Sequence, residues 1–410
     1  MAAGKTAVFT VKAKEGYAIK DVYSLAAEVT PVGDAELASA SNAQEETDSD
    51  DQDDPVHFQT YLIDDVTDDA EIIIEMEAEG VALLNLRTEA DAVVTPEMTT
   101  SQIQEILDGN NAVAFEAGDY SEAIVNASDS KTIILSEGTY SGIGFVISDD
   151  TRIEYSGNVV ISGGTCPTDY GKTPFNLQSG NLQFFGSEAD DRLEIQDCGI
   201  GIYLNTDADK AMHIETGTLA ITNAEHKGVF AVGKGDFTLN IQGSYESTEN
   251  SRVGEEANAV DLYDTAFYIT ESGAGIYDCS EGQFDVKING AYVNLSGNRF
   301  SGFYAGDQPE TANGNSFEIT DGCLISSDNA GTGLAYSYTK NGNADFFVTR
   351  SYVEFNNNTV NGINGGIQHY TDSVVISSGS GRDNIEAQQV IADNTQFTVE
   401  KAVRYGIRMY

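Results

Sequence analysis

Phe317-Glu-Ile-Thr-Asp-Gly-Cys-Leu-Ile-Ser-Ser-Asp-Asn329 is one copy of a pattern that the chain writes several times between residues 212 and 362. Met212-His-Ile-Glu-Thr-Gly-Thr-Leu-Ala-Ile-Thr-Asn223 and Phe346-Phe-Val-Thr-Arg-Ser-Tyr-Val-Glu-Phe-Asn-Asn-Asn358 superimpose on it, and Phe284-Asp-Val-Lys-Ile-Asn-Gly-Ala-Tyr-Val-Asn-Leu-Ser-Gly-Asn298 does so with two extra residues. Each copy reaches a glycine a few positions later (Gly228, Gly302, Gly333, Gly362), and an apolar residue follows at once (Val229, Phe303, Leu334, Ile363). From Asn298 to Asn329 is 31 residues and from Asn329 to Asn358 is 29, a period that belongs to stacked repeats.

Within one copy Phe317, Ile319, Leu324 and Ser326 alternate with polar residues at period two, so each copy holds short strands with one buried face. No helical period competes. A Gly or Asn at a sharp bend tolerates left-handed backbone angles, and its recurrence at one phase lets every coil turn at the same corner. Vertical ladders follow, with Asn223, Asn298, Asn329 and Asn358 in one and the aromatic rings of Phe284, Phe317 and Phe346 in another. The expected fold is an all-β, right-handed parallel β-helix of about ten coils.

The chain of 410 residues is long enough for more than one domain. Its 66 acidic against 21 basic residues give a net charge of −45, which argues against nucleic acid and anionic membrane surfaces as partners. No apolar run approaches the roughly 18 residues that span a bilayer. The opening Met1-Ala-Ala-Gly-Lys-Thr has no apolar leader core and the chain closes abruptly at Tyr410, which reads as a fragment or mature form of a larger protein. Cys166, Cys198, Cys279 and Cys323 contain no CxxC pair, so a structural zinc site is not expected. They read as small thiols, with Cys166 and Cys198 one turn apart and open to pairing in an oxidising compartment.

Residues 6–79 read as a separate small β module. It carries Phe9-Thr-Val-Lys12, Glu15-Gly-Tyr-Ala-Ile-Lys-Asp-Val22 and Val66-Thr-Asp-Asp-Ala-Glu-Ile72, wording that resembles the short repeat modules along surface proteins of Gram-positive bacteria. The block 39–54, crowded with Asp and Glu, interrupts it as a self-repelling, disordered insertion. Residues 80–98 form a connector. Thr99-Thr-Ser-Gln-Ile-Gln-Glu-Ile-Leu-Asp108 then carries a capping signature and an apolar face of Ile103, Ile106 and Leu107, a short helix suited to closing the open end of a solenoid spanning 99–410. A capping helix, a strand and the Gly138-Thr-Tyr140 turn are similar to the opening of pectate-lyase-like right-handed β-helix proteins. That resemblance implies the fold and a choice among polysaccharide lyases and hydrolases, phage tail spikes and non-catalytic surface adhesins.

The residues lean away from catalysis. Asn205-Thr-Asp207 and Asp190-Asp191 suggest the carboxylate groups of a hydrolase, but their order is reversed from the hydrolase pattern. No Gly-His-Gly or Arg-Ile-Lys accompanies them, and His226 sits in Glu-His-Lys. The four histidines (57, 213, 226, 369) are dispersed, with His213 at an outward strand position. No metal site is expected. Calcium is the one cation that the acidic balance leaves room for, since bound calcium inverts a local potential. If the residue after each turn glycine points inward, the next points out: Phe230, Tyr304, Ala335 and Asn364, with Asp261 and Tyr263 on Val260-Asp-Leu-Tyr. Phe230, Asp261, Tyr263 and Tyr304 are therefore the candidate ligand-binding residues, aromatics beside a carboxylate on one outer face. The expected function is an extracellular, cell-surface adhesin or stalk segment that binds a host or bacterial glycan or a surface protein. A secreted polysaccharide lyase or glycoside hydrolase stands second, and a phage tail-spike-like receptor-binding protein third.

Overall fold

The computed structural model describes residues 88–244, 260–305, 316–336 and 345–409, together with the backbone of five strands nearer the start. Met1–Leu86 is one compact unit and Arg87–Tyr410 another. In the first unit, strands Lys5–Lys12 and Glu28–Pro31 flank Phe58–Val66 in antiparallel pairing, and Tyr17–Tyr23 pairs antiparallel with Ile73–Ala78. The acidic insertion expected at 39–54 lies outside the described residues.

The second unit is a right-handed parallel β-helix. Each coil contributes one strand to each of three faces, as in Lys210–Glu215, Gly217–Thr222 and Lys227–Gly233. The first face runs to twelve strands, from Ala92–Val94 to Gln389–Asp393. That exceeds the expected ten because the coils are not of one size: equivalent residues stand 31 apart at Asn298 and Asn329 but only 22 apart at Asp372 and Asn394, where no loop leaves the rung. Alternation places every second residue inside. On the third face the inward column reads Phe145, Phe175, Ile202, Val229, Ile276, Phe303, Leu334, Ile363 and Ile385, all at most 1% exposed. Such side chains contribute about 1.5–3 kcal/mol each on burial.

The corners differ from expectation in chemistry. Left-handed backbone recurs at one phase on Asp197, Asn223, Glu271, Gly297, Asp328, Asn357 and Gly379, so mostly non-glycine residues make the bend. The following residues point inward, where Asn329 donates its backbone N–H to Asn358 Oδ1 (3.1 Å) and Asn298 donates its own to Asn329 Oδ1 (3.0 Å). Asn223 is not a rung of this ladder. The copy that starts at Met212 is one residue short, so Asn223 occupies the exposed left-handed corner (φ 53°) and binds Asp197 Oδ1 at 2.7 Å, while Ala224 takes the buried place. Phe284 is likewise out of column with Phe317. Its two extra residues lie at the front of the strand, so Val286 pairs with Phe317 and Phe284 pairs with Phe237. Phe303 bridges the two rings at 6.0 and 5.3 Å, and Phe317 and Phe346 are in register.

The glycines after the second corner serve packing, not left-handed angles. A Cβ on Gly228 would sit 3.0 Å from the carbonyl oxygen of Gly275, and one on Gly275 would sit 2.0 Å from that of Gly302. Rung after rung, the backbone crosses too closely for any side chain.

Helix α1 (Thr100–Gly109) closes the first coil. Thr99 and Gln102 form the capping box, and Ile103 and Leu107 are fully buried. Gln104 completes the closure: its Nε2 donates to Asn126 O (2.9 Å) and its Oε1 accepts from Asn126 N (2.8 Å), so one amide satisfies both backbone groups on a free sheet edge. Among the described residues no helix is long and apolar enough to cross a membrane.

Candidate functional site

One column on the outside of the third face is unlike the others. Paired registers align Asn176, Tyr203, Phe230, Tyr277 and Tyr304 on successive coils, followed by Ala335 and Asn364. Four consecutive aromatics result, because parallel in-register pairing stacks whatever residue recurs at one phase. Tyr277 and Tyr304 stack at 4.9 Å with planes 24° apart, and Phe230 meets Tyr203 at 5.8 Å and Tyr277 at 5.9 Å. Phe300, which is 45% exposed, lies against Tyr304 at 5.7 Å. Asn176, at the head of the column, is buried with its Oδ1 unpaired among the described residues.

The hairpin Cys166–Thr168 and Gly171–Thr173 stands over the lower end of this strip. Its tip carries Tyr170, 47% exposed, whose ring meets Phe230 edge-on at 4.8 Å. Lys227 completes the arrangement. Its Nζ lies 4.2 Å from the Phe230 ring centre, 5.0 Å from that of Tyr277 and 5.3 Å from that of Tyr170. Burial depresses the pKa of this amine. Along the same corner runs an open cleft of about 530 Å³, lined by Lys172, Asp197, Asn223, Glu225 and Arg299 together with Gly171 and Gly199. Arg299 is held across it by donating to the carbonyl oxygens of Ala224 (3.1 Å) and Glu225 (2.8 Å). The result is an aromatic platform beside a polar trough.

Of the residues chosen from sequence, this strip gathers Phe230 and Tyr304 but not the other two. Phe230 points outward as expected, yet it is only 2% exposed, because Tyr170 and Lys227 roof it. The exposed aromatic surface belongs instead to its neighbours. Tyr263 is buried in a separate cluster on the second face with Tyr292, Cys323 and Tyr352. The strand expected there is a 3-10 turn, Val260–Leu262, so alternation does not apply. The side chain of Asp261 lies outside the described residues. Tyr203 and Tyr277 were missed although Gly201-Ile-Tyr203 and Gly275-Ile-Tyr277 repeat the glycine, apolar, aromatic order of Gly228-Val-Phe230 and Gly302-Phe-Tyr304. Lys227 and Tyr170 carried no such signal.

Of the carboxylates that suggested hydrolysis, Asp191 has a structural duty. Asp191 is buried and accepts from the backbone N–H of Gly157 (2.6 Å) and of Glu188 (2.8 Å), while Asp190, Asn205 and Asp207 are exposed. His213 is half-buried at an outward register between Gln183 and Asn240. Among the described residues no three His, Cys, Asp or Glu side chains converge as metal ligands. Cys166, Cys198 and Cys323 are buried thiols, and burial pushes Cys166 and Cys198 up to about 12.

No family model matches the chain, and no curated protein matches it. Among four solved chains that match is the catalytic domain of a GH87 alpha-1,3-glucanase in complex with nigerose. It is 12% identical, with 99% of this chain and 91% of that chain covered, and the TM-score is 0.20. A likeness so slight carries no residue or activity across.

Proposed function

We propose that the chain is a non-catalytic, extracellular glycan-binding segment of a bacterial surface protein, an adhesin or stalk piece whose small N-terminal module is one of the repeats strung along such proteins. The observation that carries this reading is the outer aromatic column, in which Tyr277 and Tyr304 stack beside the exposed Phe300 and Tyr170. Sugar rings present C–H faces that pack on aromatic rings and hydroxyl edges that need polar partners. The strip supplies the first and the adjoining cleft, with Lys172, Asp197, Asn223 and Glu225, supplies the second. The net charge of −45 directs the surface away from nucleic acid and anionic lipid.

A glycan array probed with the whole chain tests this reading directly. Tyr277→Ala and Tyr304→Ala are each expected to weaken the best ligand by about 1–2 kcal/mol, or roughly 5- to 30-fold. Tyr405→Ala, at an exposed position on the last coil, should leave binding unchanged. Chelation of calcium by EDTA should not alter binding. Unsaturated products or new reducing ends from a polysaccharide panel would overturn the non-catalytic reading in favour of a lyase or hydrolase, and a stable trimer in light scattering would favour a tail spike.

A further inference from the structure

Lys227 stands out against the charge balance of the whole chain. Acidic residues outnumber basic ones 66 to 21, and several cations of the β-helix find carboxylates (Arg152 with Glu154, Lys172 with Glu122, Arg192 with Glu194, Arg350 with Asp321 and Arg408 with Glu386), while Lys131 and Arg299 donate to backbone carbonyl oxygens. Lys227 has no carboxylate partner among the described residues. Its ammonium lies instead over three rings, Phe230, Tyr277 and Tyr170. Ring faces hold the cation by about 0.5–2 kcal/mol, but they accept no directed hydrogen bond of the kind that an anionic oxygen takes from an ammonium N–H. Partial burial meanwhile disfavours the charge unless an anion arrives to balance it.

We infer that Lys227 is the specificity residue of the aromatic strip and that it selects sugars bearing an anionic substituent, a carboxylate or a sulfate ester, over their neutral counterparts. The inference rests on the glycan-binding reading above and sharpens it. A pyranose lying on Tyr277 and Tyr304 with its edge toward the hairpin would bring a ring substituent to the Lys227 ammonium, which donates charge-assisted hydrogen bonds to it. The net negative charge of the chain does not forbid this. Charges farther off than about 8 Å are screened at physiological ionic strength, whereas a half-buried contact is not.

Calorimetry on the full chain with matched probes decides the matter. Sialyllactose is compared with lactose, and 6-sulfated with unsulfated N-acetyllactosamine, so that one arm isolates the carboxylate and the other the sulfate. An anionic member should bind about tenfold tighter than its neutral partner, the worth of a hydrogen bond to a charged group. Lys227→Gln should erase that preference, charged and neutral probes then binding alike, and Lys227→Arg should retain most of it. Raising salt to about 0.5 M should shrink the preference in the wild type and change nothing in Lys227→Gln. An unchanged melting midpoint shows that Lys227→Gln is folded. Equal binding of charged and neutral probes, or a preference that survives Lys227→Gln, overturns the inference and leaves glycan binding standing. Failure of every probe, and of a wider glycan array, overturns both.

Discussion

Asn329 donates from its backbone to Asn358 Oδ1 at 3.1 Å and from its side chain to the same atom at 3.0 Å, and its own Oδ1 receives the Asn298 N–H. Removing that amide strands a buried donor above or below, at a cost of about 1–3 kcal/mol. Asn329→Ala should therefore lower the urea midpoint clearly. Asn223→Gly should cost under about 1 kcal/mol, since Asn223 is exposed, its left-handed corner suits glycine, and only the bond to Asp197 is lost. Close packing makes a glycine equally sensitive. Gly275→Ala places a Cβ 2.0 Å from the Gly302 carbonyl oxygen. The coils must part to admit it, so this substitution should destabilise by several kcal/mol, on the order of 3, as read by the thermal midpoint.

At the scale of elements, the two ends of the described solenoid are held in different ways. Helix α1 seals the first coil by burying Ile103 and Leu107 and by lending the Gln104 amide to Asn126. Gln104→Ala leaves two edge groups to solvent, and hydrogen exchange at residues 123–127 should accelerate while the middle coils stay protected. The last coil, Gln389–Asp393, Gln396–Glu400 and Tyr405–Met409, is pinned by charge. Asp383 is fully buried, and its carboxylate is hydrogen-bonded by Arg404 with Arg408 nearby. The Arg404 hydrogen bond holds its pKa below the ordinary carboxylate value, against the opposing effect of burial. A folded pKa below the unfolded one means that the stabilisation is complete above the unfolded value, about 3.9, and is lost as pH falls through the folded value. Protection of the amides of Tyr405–Met409, taken relative to the intrinsic exchange rate at each pH, should therefore fall as pH is lowered below about 4, and in Asp383→Asn it should already be reduced at neutral pH.

On the scale of the whole molecule, a charge of −45 repels itself. The screening length falls from about 30 Å at 0.01 M salt to about 8 Å at 0.15 M, so the thermal midpoint should rise over that interval. A flat response would mean that the carboxylates are already compensated by bound cations. Period and alternation in the chain determined by themselves the parallel β-helix, the inward column through Val229, Phe303, Leu334 and Ile363, the capping helix and the Asn298, Asn329, Asn358 ladder. Each of these depends on residues recurring at one phase, and phase is written in the sequence. Three-dimensional packing alone decided which outward residues meet solvent. Phe230 is roofed because a hairpin some sixty positions earlier folds over it, Tyr263 is turned into another cluster by a 3-10 turn, and Lys227 acquires its three rings from three separate stretches of chain. Neighbours far apart in sequence leave no periodic mark, because their meeting depends on how many residues each intervening coil consumes.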